Sequence, residues 1–138
     1  MNILIVEDDL VQMKLAHVVL SYAGYNVSKA HGAEEAWETI KTNRPTIILL
    51  DLSLPGIDGF ALARKIRNDR NVCEIPIIAI TSYPDRYTRF EALEAGCSAY
   101  MVKPIDTRFL SKAIEDTKRD FKTIYKKNLI DPLSETEF

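Results

Sequence analysis

Four short apolar runs in this chain each end on residues that can do chemistry. Ile3–Val6 runs into Glu7-Asp8-Asp9, Thr46–Leu50 into Asp51, Ile77–Ile80 into Thr81-Ser82, and Ala99–Val102 into Lys103-Pro104. Clustered carboxylates repel unless a hard cation lies between them, and an oxygen-rich set of this kind suits Mg²⁺. With the cation in place, Asp51 has the chemistry to attack phosphorus, because carboxylates form acyl phosphates. Lys103 would then meet the phosphoryl charge and Thr81 would donate a hydrogen bond to a phosphoryl oxygen. Singly, each residue has a plain structural use: Asp9 as a helix N-cap, Asp51 as a turn residue, Thr81 as a β-branched strand end, Lys103 as a solvated charge. Their common position, each just past a strand, favours the chemical reading.

That position depends on the elements between them. Five runs read as buried strands: the four above and Tyr25–Lys29. Five amphipathic stretches alternate with them, the pattern of a parallel sheet covered by helices on both faces. In such sheets ligands bind outside the carboxyl ends of the strands, which gathers the four clusters onto one rim. The first helix carries Val11, Leu15, Val18 and Tyr22 at helical spacing, opens on Asp9-x-x-Gln12 and closes at Gly24. The second uses Ala33, Ala36, Trp37 and Ile40 and stops before Pro45. The third is expected from about Phe60 to Asp69 with Leu62 and Ile66 inward, and Asp58 reads as its cap. The fourth is expected to start near Pro84-Asp85 and end at Gly96, with a weak stripe of Phe90, Ala92, Leu93 and Ala95. The fifth follows Asp106 and carries Phe109, Leu110, Ala113 and Ile114, then Phe121, Ile124 and Tyr125.

Bulk properties narrow the function classes. The 138 residues suit one domain, with 46% hydrophobic and 28% charged residues and a net charge of −2, which points to neither nucleic acid nor an anionic membrane. Two isolated cysteines, Cys73 and Cys97, form neither a disulfide framework nor a metal-ligand pattern. Without an apolar run of about 20 residues or a signal-peptide start, the expectation is a cytoplasmic protein with no membrane association. His17 and His31 lack ligand-spaced neighbours and read as structural. Between residues 107 and 127 seven basic residues face three acidic ones, a solvated face by default, since no aromatic interleaving or DNA-reading motif accompanies it. The domain is expected over 1–127, its last helix longer than the fold needs, and 128–138 reads as a C-terminal tail.

Over residues 1–120 the chain resembles the receiver domain of two-component response regulators in their single-domain, chemotaxis-regulator-like form. The resemblance rests on the run from Ile3 to Asp9, Leu49-Leu50-Asp51-Leu52-Ser53-Leu54-Pro55-Gly56-Ile57-Asp58-Gly59, Ile80-Thr81-Ser82 and Tyr100-Met101-Val102-Lys103-Pro104. Thr81 stands 30 residues and Lys103 52 residues after Asp51, as in that family. It implies a flavodoxin-like, doubly wound, (βα)₅ α/β sheet with strand order 2-1-3-4-5. It further implies that Asp51 accepts a phosphoryl group from a histidine kinase or histidine phosphotransfer protein. Mg²⁺ would be held by Asp8, Asp51 and the Ser53 backbone carbonyl, with Glu7 assisting. Thr81 and Tyr100 would form the switch to a downstream partner at the face of the fourth helix, fifth strand and fifth helix, and the Lys103–Pro104 bond would be cis. The pattern also implies a signalling domain that assists its own phosphorylation and dephosphorylation, not an enzyme acting on a separate substrate.

Two other uses of the fold stay open: a phosphorelay intermediate that passes phosphoryl to a histidine phosphotransfer protein, and the receiver part of a longer regulator. The extended fifth helix reads either as packing or as a homodimer surface shared with the fourth helix, fifth strand and Tyr100. Ser53 and Tyr83, each two residues past a site residue, would line water access to the phosphoryl group. An aspartate-nucleophile phosphatase would want a second acid where Ser53 stands, and a flavin site would want a non-acidic loop after the first strand.

Overall fold

The computed structural model describes residues 1–54 and 58–130, except the side chains of 107, 109 and 121–130. Its elements are β1 (Asn2–Val6), α1 (Leu10–Tyr22), β2 (Asn26–Ala30), α2 (Ala33–Thr42), β3 (Ile47–Asp51), α3 (Gly59–Arg67), β4 (Ile77–Thr81), α4 (Arg89–Glu94), β5 (Ala99–Val102) and α5 (Thr107–Ile130). The strands form one parallel sheet in the order β2-β1-β3-β4-β5. Composition explains the order. In β3 and β4 all five residues are buried, and β1 is nearly so, which requires cover on both faces and hence a central place. By contrast β2, with Asn26, Ser28 and Lys29, is only partly buried and takes an edge, as does β5.

Strand periodicity splits the core in two. Leu4, Val6, Ile48, Leu50 and Ala79 face α2, α3 and α4, while Ile3, Ile5, Ile47, Leu49, Ile78 and Ile80 face α1 and α5. Each fully buried Ile or Leu contributes about 1.5–3 kcal/mol, so a one-residue register slip in β3 would forfeit both layers at once.

Helix boundaries follow their caps. Asp9 accepts from Gln12 N at 3.0 Å and Asp58 accepts from Ala61 N at 2.8 Å, as their positions suggested. At α5 the Asp106 carboxylate accepts from Arg108 N at 3.0 Å. Gly24 and Gly96 take positive φ values of 97° and 105°, closing the turns after α1 and α4.

Two expectations need correction. The fourth helix begins at Arg89 rather than near Pro84-Asp85, because Thr88 accepts from Glu91 N at 3.2 Å and donates to the Glu91 carboxylate at 3.0 Å. That reciprocal cap starts the helix and leaves Phe90 and Leu93 exposed, with Ala92 and Ala95 buried. In α1 the stripe Val11, Leu15, Val18 and Tyr22 is exposed, as is Leu10, with Leu15 at the edge of a cavity beside Ile105 and Leu110, while Met13 and Leu20 are buried. This helix is apolar on both sides, so spacing alone does not select its inward face. Helix α5 runs on through Ile130. The stripe extension at Phe121, Ile124 and Tyr125, the Phe109 side chain, the Pro55-Gly56 turn and residues 131–138 of the tail lie outside the described residues. Among the described residues no helix is long and apolar enough to cross a membrane.

Candidate functional site

Glu7, Asp51, Thr81 and Lys103 come together at the carboxyl ends of β1, β3, β4 and β5, as strand order 2-1-3-4-5 requires. The first three are the only buried polar or charged residues among those described, at 6%, 5% and 0% exposure. Asp8 and Asp9 are exposed beside them. Lys103 ties the set: its ammonium donates to Glu7 Oε1 at 2.5 Å and to Asp51 Oδ2 at 3.1 Å. The Lys103–Pro104 bond is cis, as expected.

The two oxygens of Asp51 are in different surroundings. Oδ2 faces Lys103, whereas Oδ1 accepts from both the backbone N and the hydroxyl of Ser53, each at 3.0 Å. The loop that supplies Ser53 is seated by Gly59. A Cβ there would stand 2.6 Å from Leu52 Cα, so only glycine lets α3 start directly on the backbone that follows Asp51. Gly59 N also donates to the Leu52 carbonyl at 3.0 Å.

Electrostatics separates the two buried acids. Burial, then its hydrogen bond and like charge with Asp51, push Glu7 up to about 7 despite Lys103. For Asp51, burial acts upward but is outweighed by hydrogen bonds with Glu7, Ser53 and Lys103, which bring it below the usual carboxylate range. Burial works against the Lys103 ammonium, yet hydrogen bonds to both acids raise its pKa and keep it charged. Thus Asp51, of the two buried acids, is the one held ionised. A carboxylate oxygen from each of Glu7, Asp8 and Asp51 lies within 4.8 Å of the others, a hard-oxygen set that fits a divalent cation such as Mg²⁺.

Thr81 is fully buried, and its Oγ1 accepts from Tyr83 N at 2.9 Å, which leaves its own O–H as a donor. Tyr83 meets the site through its backbone, its side chain being 59% exposed. Tyr100 is outside the charged cluster. Half-buried on β5 opposite Ala79, it donates its hydroxyl to the Tyr87 carbonyl and lies under the Arg89 guanidinium, 5.3 Å from the ring centre. Ser53 stands where a phosphatase would place its general acid, and its hydroxyl is a donor to Asp51.

A sequence profile of the response regulator receiver domain matches residues 3–115. The chain belongs to that family. Receiver domains act in two-component signalling rather than as conventional enzymes. The response regulator PleD of Caulobacter vibrioides is 35% identical over 118 residues, which cover 86% of this chain and 26% of PleD. Polar-differentiation response regulator DivK of Brucella anthropi is 31% identical over 110 residues, 79% of this chain and 89% of DivK. Among solved structures, the receiver domain of a sensor histidine kinase from Pseudomonas aeruginosa PAO1 superimposes with a TM-score of 0.78 at 31% identity, covering 85% of this chain and 96% of its own. That structure has a magnesium ion coordinated in its active site cleft. Against the transcriptional regulators it matches, this receiver spans about half their length.

Sequence reasoning missed four contacts. Glu7 pairs directly with Lys103, 96 residues away, where only help in holding the metal was expected. The Ser53 hydroxyl bonds Asp51, and Arg89 with the Tyr87 carbonyl holds Tyr100. Of these only Ser53 carried a local signal, its position two residues after Asp51.

Proposed function

We propose that this receiver accepts a phosphoryl group on Asp51 from the phosphohistidine of a histidine kinase or histidine phosphotransfer protein. The observation that carries the reading is the buried, ionised Asp51 held between Ser53 and Lys103. In the transfer an Asp51 oxygen bonds to phosphorus while the phosphorus–nitrogen bond to the donor imidazole breaks, its electron pair leaving on the imidazole nitrogen. Lys103 meets the charge on the phosphoryl oxygens, and the free O–H of Thr81 donates to one of them. Glu7, Asp8, Asp51 and the Ser53 carbonyl would hold Mg²⁺, which supplies charge neutralisation for the acids and the phosphoryl group.

Output follows from Thr81. Its hydroxyl, drawn toward the phosphoryl group, leaves space toward which Tyr100 turns, and the face of α4, β5 and α5 changes for a downstream protein. Exposed Phe90, Leu93 and Val102 on that face also suit a homodimer. The same chemistry serves a phosphorelay intermediate or the receiver part of a longer regulator. The reading includes a cytoplasmic location, with no direct contact to nucleic acid or membrane.

Incubation with acetyl phosphate and Mg²⁺ tests it. Mass spectrometry should find one phosphoryl group on Asp51, absent in Asp51→Asn and after chelation of Mg²⁺. An unmodified Asp51, or equal labelling of Asp51→Asn, refutes the proposal.

A further inference from the structure

Three aromatic rings form a line from α3 to β5. Phe60 and Tyr87 have centroids 5.8 Å apart at 58°, and Tyr100 donates its hydroxyl to the Tyr87 carbonyl. Each ring carries one guanidinium: Arg64 at 6.0 Å over Phe60, Arg86 at 5.5 Å over Tyr87 and Arg89 at 5.3 Å over Tyr100. All three arginines are exposed, and among the described residues none forms an ion pair. This is not general to the chain, since Arg44, Arg108 and Arg119 are each paired with a carboxylate. Asp85, whose charge reaches Tyr100, makes no ion pair with any of the three.

A guanidinium held over a ring by cation–π attraction is restrained in advance and still has N–H groups to offer a planar acceptor. Ordering three of them before a ligand arrives removes part of the entropic cost of binding. The acceptor that fits is a carboxylate, taken in bidentate fashion. A nucleic acid fits less well, because base stacking needs a free ring face; Phe60 is only 7% exposed and each ring already lies under a guanidinium. The adjoining exposed side chains are apolar, Phe90 at 70% and Leu93 at 49%.

We propose that the strip of Arg64, Arg86 and Arg89 on Phe60, Tyr87 and Tyr100 binds an acidic segment of a partner protein with apolar residues interspersed. Its dependence on phosphorylation rests on the function proposed above: a turn of Tyr100 takes away the seat of Arg89, so the strip differs between the two states.

The experiment pans a display library of random peptides of about 12 residues on the intact chain, untreated and treated with acetyl phosphate and Mg²⁺. Asp51 labelling is read in the same samples. Enriched peptides are expected to combine Asp or Glu with aromatic or aliphatic residues, and to bind more weakly as salt rises from about 50 to about 300 mM. Replacing the three arginines by glutamine should weaken that binding at least about tenfold while Asp51 still labels, which shows that the variant is folded. The triple lysine variant, which keeps the charge but not the forked guanidinium donors, should fall between. Enrichment of neutral or basic peptides, binding unchanged in the glutamine variant, or a single-stranded oligonucleotide binding the strip in place of peptides would overturn the inference. If wild-type Asp51 does not label, the proposed function fails, and the strip is judged by the same criteria on the untreated protein.

Discussion

The sheet rim and the outer face of α1 depart from ordinary folding preference in opposite directions. At the rim, Glu7 and Asp51 are buried with Lys103 between them. On α1, Leu10, Val11, Leu15, Val18 and Tyr22 stand 70%, 79%, 59%, 55% and 94% exposed. One region takes charge out of water and the other leaves apolar surface in it, and neither choice is one that stability favours. The comparison teaches where stability resides: in the two layers around the sheet, which leave the rim and the helix face free to be shaped by other demands.

Several measurements would break or sharpen that contrast. Lys103→Ala should slow Asp51 phosphorylation by acetyl phosphate by about 10²–10³-fold, the usual loss when a charge-stabilising donor is removed; a rate within a few-fold of wild type would show that the rim does not depend on it. Leu20→Ala, on the inner side of α1, should lower unfolding free energy by about 2–5 kcal/mol in urea titrations.

Because Glu7 in the fold titrates near 7 instead of 4.5, the folded protein holds an extra proton between those values. Stability without Mg²⁺ should therefore fall as pH rises from about 4.5 to above 7, by on the order of 2 kcal/mol. In Glu7→Gln that slope should vanish. Asp51 acts in the opposite sense, its depressed pKa giving stability that is lost only as pH falls below the ordinary carboxylate range. The smallest effect belongs to Tyr22→Ser on the outer side of α1, where the side chain is 94% exposed; it should change stability by less than about 0.5 kcal/mol and leave Asp51 labelling alone. A large loss there would mean that the outer face is part of the core after all.

How much was legible beforehand follows from where the information sits. Strands buried on both faces announce themselves as unbroken apolar runs, and the residue after each run is known once the run is, so Asp51, Thr81 and Lys103 could be placed on one rim before any coordinates. Local caps were equally readable at Asp9 and Asp58, because both partners of the bond lie within three residues. The same local logic failed at α4, where Pro84 offered a start and Thr88 with Glu91 offered a better one. It failed at α1 because Val11, Leu15, Val18 and Tyr22 have the same spacing whether they face the sheet or water. Glu7 with Lys103 and Arg89 with Tyr100 were out of reach, since tertiary proximity and not spacing brings them together.

Gly59 carries a mechanical consequence. With no side chain to act as a spacer, the first turn of α3 bears directly on the peptide that follows Asp51, like a beam resting on its support with no gasket between. The residue after Asp51 and that helix end thus meet backbone to backbone. One added methyl group at Gly59 would have to displace either Leu52 or the first turn of α3, and with it the backbone just past Asp51.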